Sequence, residues 1–165
     1  MSHVFSKVSP QVWESGRFRS LPDDSSRLLY LYLLSSVHQN SIGVYRLPAA
    51  YACEDLGWDR PVYDEALTAL VDVELVEIDE VTQEVLILRW FRHNPPTNNK
   101  HLAGVERLIG KIASQALRER ADAELGTVFA AGAPYRRSGS SDDLWSLGAG
   151  PPSPTTRARN LAGGR

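Results

Sequence analysis

The segment "RLLYLYLL", Arg27 to Leu34, constrains this chain most, because Leu28 to Leu34 is an unbroken apolar and aromatic run. A helix that is apolar on nearly every side has to be enclosed by other elements, so this one is expected at the centre of the core. Ser20 is expected to cap it, with Pro22 in the first turn and Asp23 favourably placed near a helix N-terminus. "NSIGVYRL" then supplies a turn and a short strand through Val44 and Tyr45.

Pro48 suits the start of a short helix and Gly57 its left-handed end; Asp59 is placed to cap the next helix. From Pro61 onward, Val62, Ala66, Leu70 and Val73, with Leu67 beside them, recur at helical spacing and define one core-facing stripe. Leu75, Val76 and Ile78, the polar "DEVTQE", and then "VLILRWF" read as a β-hairpin. The predicted class is therefore α+β, mainly helical: a winged helix-turn-helix (α-β-α-α-β-β) over residues 5–93, with Asp79 to Glu84 as the wing.

"RHNPPTNNK" breaks regular structure before a last amphipathic helix begins near Lys100, and residues 94–125 are read as linker and basic helix. Leu102, Val105, Ile109, Ile112 and Ala116 form its apolar face. At about 100° per residue, Lys100, Arg107, Lys111 and Arg118 fall within roughly 20° of one line, away from that face. Residues 126–165, rich in Gly, Ser, Pro and Ala, are expected to be a disordered tail.

With 165 residues and 42% hydrophobic content, one ordinary core is expected. The single cysteine, Cys53, excludes a disulfide framework within the chain and reads as a small apolar residue of a short helix. Neither a secretory leader nor eighteen consecutive apolar residues can be found, so a membrane-free, cytoplasmic protein is expected. Net charge is −2, unevenly spread: residues 1–100 hold nine Lys and Arg against fourteen Asp and Glu, and residues 101–165 nine against six. Positive charge is displaced to the C-terminal side.

His3, His38, His93 and His101 lack metal-motif spacing, and there is no phosphate-cradling Gly-rich loop or nucleophile elbow. No enzyme activity, metal or cofactor is expected. The signals that remain concern binding. Arg92, His93, Asn94, Asn98, Asn99 and Lys100 concentrate groups able to donate to phosphate or base edges, although turn chemistry alone also favours Asn and Pro. The stripe Lys100, Arg107, Lys111 and Arg118 suits a phosphate backbone, or is an ordinary solvated face. On the preceding helix Arg60, Tyr63 and Thr68 could reach DNA, but Asp64, Glu65 and Asp72 would repel phosphate on a shared surface. Trp13, Trp58 and Trp90 are expected to pack rather than to stack on bases.

"KVSPQVWESGRFRSLPDDSSRLLYLYLLSSVHQNSIGVYRLP", "EDLGW" and "WFRHNPPTNNK", in that order, resemble the N-terminal winged-helix domain of phage replication-initiation proteins. These are the replisome organisers related to DnaD-like primosome proteins. The resemblance covers about residues 5–118 and rests on Lys7, Ser9, Pro10 and Trp13, the "RLLYLYLL" helix, Gly43 to Pro48, Asp55 to Trp58, and Trp90 to Asn94. It implies a non-enzymatic protein that binds double-stranded, or else single-stranded, DNA at a replication origin. It further implies a helicase or helicase loader as candidate partner and a homo-oligomer as candidate assembly. Two alternatives share the same fold: a protein-interaction adaptor without appreciable DNA affinity, and a transcriptional repressor.

Overall fold

Asp23, not Ser20, starts the long apolar helix. The structure, a computed structural model, describes Ser6 and residues 8–130; Lys7 and the expected tail from residue 131 onward lie outside the described residues. A 3-10 turn, Pro10–Glu14, leads to the one-turn helix α1 (Gly16–Arg19), which Ser20 closes by donating its backbone N–H to the Gly16 carbonyl at 3.0 Å. Asp23 is extended (φ −145°), and its Oδ1 accepts from the Ser26 N–H at 2.7 Å and from the Ser26 hydroxyl at 2.9 Å. A carboxylate answers both the free amides and the positive end of α2 (Asp24–Ser35), so it displaces the hydroxyl expected there.

Leu29 and Leu33 of α2 are fully buried, whereas Leu28 is 47% exposed; the helix is central but keeps one open edge. Each fully buried leucine is worth about 1.5–3 kcal/mol relative to exposure. β1 (Val44–Arg46) follows, then α3 (Ala49–Leu56) and α4 (Arg60–Asp72), which packs against α2. Gly57 ends α3 in the left-handed region (φ 66°), and the N–H groups of Gly57 and Trp58 return to the Glu54 and Cys53 carbonyls. Asp59 precedes α4 as expected but makes no side-chain cap bond. Ala66 and Leu70 of the expected α4 stripe are buried and Leu67 and Val73 pack partly against the core, but Tyr63 takes the inward place expected of Val62, which is 38% exposed.

β2 (Val76–Asp79) and β3 (Glu84–Ile87) form the hairpin, and β1 pairs with β3 on its other side, giving an antiparallel sheet of order β1-β3-β2. Tyr45 and Ile78 both lie opposite Val85. Val85 to Leu88 are all buried, as an uninterrupted apolar run requires of a central strand. Gly43, at φ 68°, supports the edge: a Cβ there would sit 2.5 Å from Cγ of Trp90, so only glycine fits. Trp90 is buried and donates its indole N–H to the Ser41 carbonyl at 2.9 Å. Trp58 is half-buried against the core, but Trp13 is 60% exposed and touches Phe18 edge-on at 5.3 Å.

The single basic helix expected after residue 99 is two helices. A one-turn α5 (Trp90–His93) leads to α6 (Asn99–Ile109), and α7 (Gln115–Ala130) begins after a turn at Gly110 to Ser114. Glu84 explains the break: its carboxylate accepts from the Ala113 N–H at 3.1 Å and the Ser114 N–H at 2.7 Å, and Ser114 Oγ accepts from the Leu117 N–H. The restart shifts the helical phase, so Leu117, Ala121 and Leu125 are buried and Ala116 is exposed. Residues 126–130, expected in the tail, are the end of α7, which packs against α5, α6, β2 and β3. The result is a mainly helical α+β fold with one small antiparallel sheet. Among the described residues no helix is long and apolar enough to cross a membrane.

Candidate nucleic-acid interface

The α4 residues expected to reach DNA are committed elsewhere. Tyr63 is buried (5% exposed), and desolvation raises the pKa of its phenol; it belongs to the core because its register completes the stripe with Ala66 and Leu70. Arg60 donates from Nε to Asp64 Oδ1 at 2.7 Å, one helical turn along, and that bond pushes its pKa further up. Thr68 is exposed but donates its hydroxyl back to the Asp64 carbonyl at 2.8 Å.

Between α4 and the hairpin lies a cleft of about 420 Å³ whose lining includes Asp64, Asp79, Glu80 and Glu84 against Arg60. Asp79 organises the hairpin loop: its Oδ1 accepts from the N–H groups of Val81 and Thr82 at 2.9 and 3.1 Å. A hydrogen bond from the Ser114 side chain, then those backbone bonds, hold its carboxyl below the usual carboxylate range. The hairpin is fixed to the α6–α7 turn by the Glu84 carboxylate, and Asp79 beside it keeps its negative charge. A phosphate approaching this cleft would meet repulsion rather than a cationic funnel.

The predicted cations after Leu88 are distributed over three elements. Arg92 and His93 are exposed on the last turn of α5. Lys100 and Arg107 are exposed on α6, seven residues apart and thus about 20° apart round its axis; Lys111 follows in the turn. Among the described residues Arg92, Lys100, Arg107 and Lys111 form no ion pair. Arg118 leaves the expected stripe: it is on α7, half-buried, with its Nε buried and lacking a hydrogen-bond partner among the described residues. The α6–α7 break removes it, since the stripe assumed one helical phase throughout.

The asparagines divide in the same way. Asn98 is the N-cap of α6, its Oδ1 accepting from the His101 N–H at 2.8 Å, so its carbonyl oxygen is used by the helix. Asn94 closes α5 and donates weakly to the Trp90 carbonyl at 3.4 Å. Asn99 is half-buried in the first turn of α6. Turn and cap chemistry accounts for Asn94 and Asn98, as their residue types alone suggested.

Arg17 and Arg89 were not anticipated. Both line a groove of about 650 Å³ shared with the N-terminal segment and with His93 and Asn94 of the α5 end. Arg89 interrupts the apolar "VLILRWF" run at a positive φ of 61°, and that intrusion of a cation was its one sequence signal. No protein-family model, curated protein or solved structure matches this chain.

Proposed function

We propose that this chain is a DNA-binding protein of the winged-helix type that acts in the initiation of DNA replication. Its electrostatic contact to duplex DNA runs through α6 and its flanks, not through α4 and the hairpin. The element order α2-β1-α3-α4-β2-β3 and the sheet order β1-β3-β2 support the fold reading. The replication role rests on the resemblance of the ordered motifs. The observation that carries DNA binding is the exposed face of α6, where Lys100 and Arg107 form no ion pair among the described residues and have only Ala103 and Gly104 between them on that side.

Small residues there let a phosphate backbone come close, since a Cβ at Gly104 would meet open space. Lys100 and Arg107 lie about 10 Å apart along the axis, so they meet different phosphates. Their simultaneous change to Glu should weaken binding to duplex DNA at least tenfold in fluorescence anisotropy. The slope of log affinity against log salt should fall by about 2, as expected for two lost phosphate contacts. An unchanged affinity and slope would remove α6 from the interface. Enrichment of one origin-like locus among fragments of the cognate genome is the outcome that tests the replication role.

The acidic α4–hairpin cleft favours one second reading, an adaptor that presents this surface to a basic protein partner. An absence of DNA binding at low salt, with retention of a replication protein that is lost on changing Asp64 and Glu80 to Lys, would select it.

A further inference from the structure

We propose that the groove between the N-terminal segment, β3 and α5 binds a small organic anion, a phosphate or carboxylate head carried on an apolar body. The site is separate from the α4–hairpin cleft, with which it shares no lining residue. At about 650 Å³ it falls within the range of small-molecule pockets. Leu34, Leu75, Ile87 and Leu88 supply apolar walls, and two arginines, Arg17 and Arg89, are among the lining residues, each also donating to Glu74 at the groove's margin. In a chain with more acidic than basic residues, no Asp or Glu is among the described residues lining this groove.

The charge there is incompletely answered. Glu74 pairs with Arg17 at 3.2 Å, but its carboxylate is 70% exposed and stands outside the groove. Arg89 donates to the Glu74 backbone carbonyl, not to its carboxylate. Partial burial lowers the pKa of Arg89 and the nearby Arg17 charge lowers it further, with Tyr30, Glu124 and Glu74 acting in the opposite sense; the Glu124 carboxylate accepts from the Arg89 backbone N–H at 2.9 Å and is not among the groove's described lining residues. Tyr30, 9% exposed, also lines the groove, and its hydroxyl has no hydrogen-bond partner among the described residues.

Backbone geometry points to the same place. Of the three non-glycine residues at positive φ among the described residues, Glu74 (54°) and Arg89 (61°) adjoin this groove, while Gln83 (57°) belongs to the hairpin loop. Such conformations persist where the surroundings over-determine them, and they gather at ligand clamps. Here the two are joined by the bond from the Arg89 guanidinium to the Glu74 carbonyl, and Arg89 lines the groove together with Arg17. A guanidinium pair of this kind grips a phosphate or carboxylate through paired N–H donors, and the apolar walls take the remainder of the molecule.

Isothermal titration of the full chain with decanoate and with adenosine monophosphate tests this, with decyltrimethylammonium as the cationic control. Saturable binding of at least one anion is expected, and whichever binds identifies the head group. Arg17→Gln, at an exposed position, should weaken it at least tenfold, and Arg89→Lys by less, with the thermal midpoint kept. Amide shifts of the wild-type chain on titration should centre on residues 9–17 and 88–94. Equal binding of the cation, anion binding unaffected by Arg17→Gln, or shifts centred elsewhere would each overturn the assignment. So would the absence of binding by either anion.

Discussion

Replacing Gly43 by alanine should destabilise the fold severely for so small a change, and the structure separates the cost into two parts. The first is conformational: at φ 68° an L-residue pays about 1 kcal/mol. The second is steric. The new methyl would sit 2.5 Å from Cγ and 2.6 Å from Cδ2 of Trp90, a ring that cannot swing aside without losing its 2.9 Å bond to the Ser41 carbonyl. Overpacking of a filled core costs about 1–3 kcal/mol, so the total is roughly 2–4 kcal/mol. Gly57 is the control, because it shares the positive φ (66°) but a methyl added there would meet nothing within 4 Å. Gly57→Ala should therefore cost only about 1 kcal/mol. Urea unfolding followed by tryptophan fluorescence measures both, and Gly43→Ala should also lower the thermal midpoint by roughly 10 °C. Equal losses for the two variants would refute the steric part, and a Gly43→Ala variant as stable as wild type would refute the whole account.

Glu84→Ala should free the Ala113 and Ser114 amides and cost about 2 kcal/mol, given two hydrogen bonds to a carboxylate that remains partly solvated. Hydrogen exchange should then accelerate first at the start of α7; uniform acceleration would mean that Glu84 does not hold that turn. Acid should weaken the fold through Asp23 and Asp79, both held below the ordinary value of 3.8, chiefly by hydrogen bonds from Ser26 and Ser114 respectively. Because the folded form binds the proton more weakly than the unfolded chain, this stability is complete above about pH 4 and is lost as pH falls through the lower folded-state values. Urea midpoints from pH 5 downward should decline less steeply in Asp23→Asn, where the amide still caps but does not titrate; identical slopes would exclude Asp23 from the acid sensitivity.

Periodicity and turn chemistry made the element order readable up to β3. The Leu28 to Leu34 run, Gly57 at the end of α3, and the polar loop between Ile78 and Val85 each carry a local physical signal that tertiary context did not override. Turn chemistry stood as the alternative to DNA contact for the asparagines, and Asn98 is used as the cap of α6. Charge was legible as a total and as a drift toward the C-terminal side. Its placement was not.

Three matters were decided only in the folded chain, the last two by contacts distant in sequence. Whether Asp23 or Ser20 opened α2 turned on competition between two capable caps, and the α1 turn consumed Ser20. Tyr63 faced inward in place of Val62 because α4 meets α2 on a face turned by a fraction of a residue from the expected one, with Ala66 and Leu70 still at its centre. The basic stripe lost Arg118 because Glu84, nearly thirty residues upstream, captured the amides at Ala113 and Ser114 and restarted the helix. Gly110 and Ser114 carried a stop and a start signal there, but an apolar spacing that continued through Ala116 concealed them. Sequence thus determined which elements form and how much charge they bear. Tertiary structure decided which charges are spent on neighbours, since an ion pair or a carboxylate cap depends on where the chain returns in space, and only then did α6 emerge as the face left with free cations.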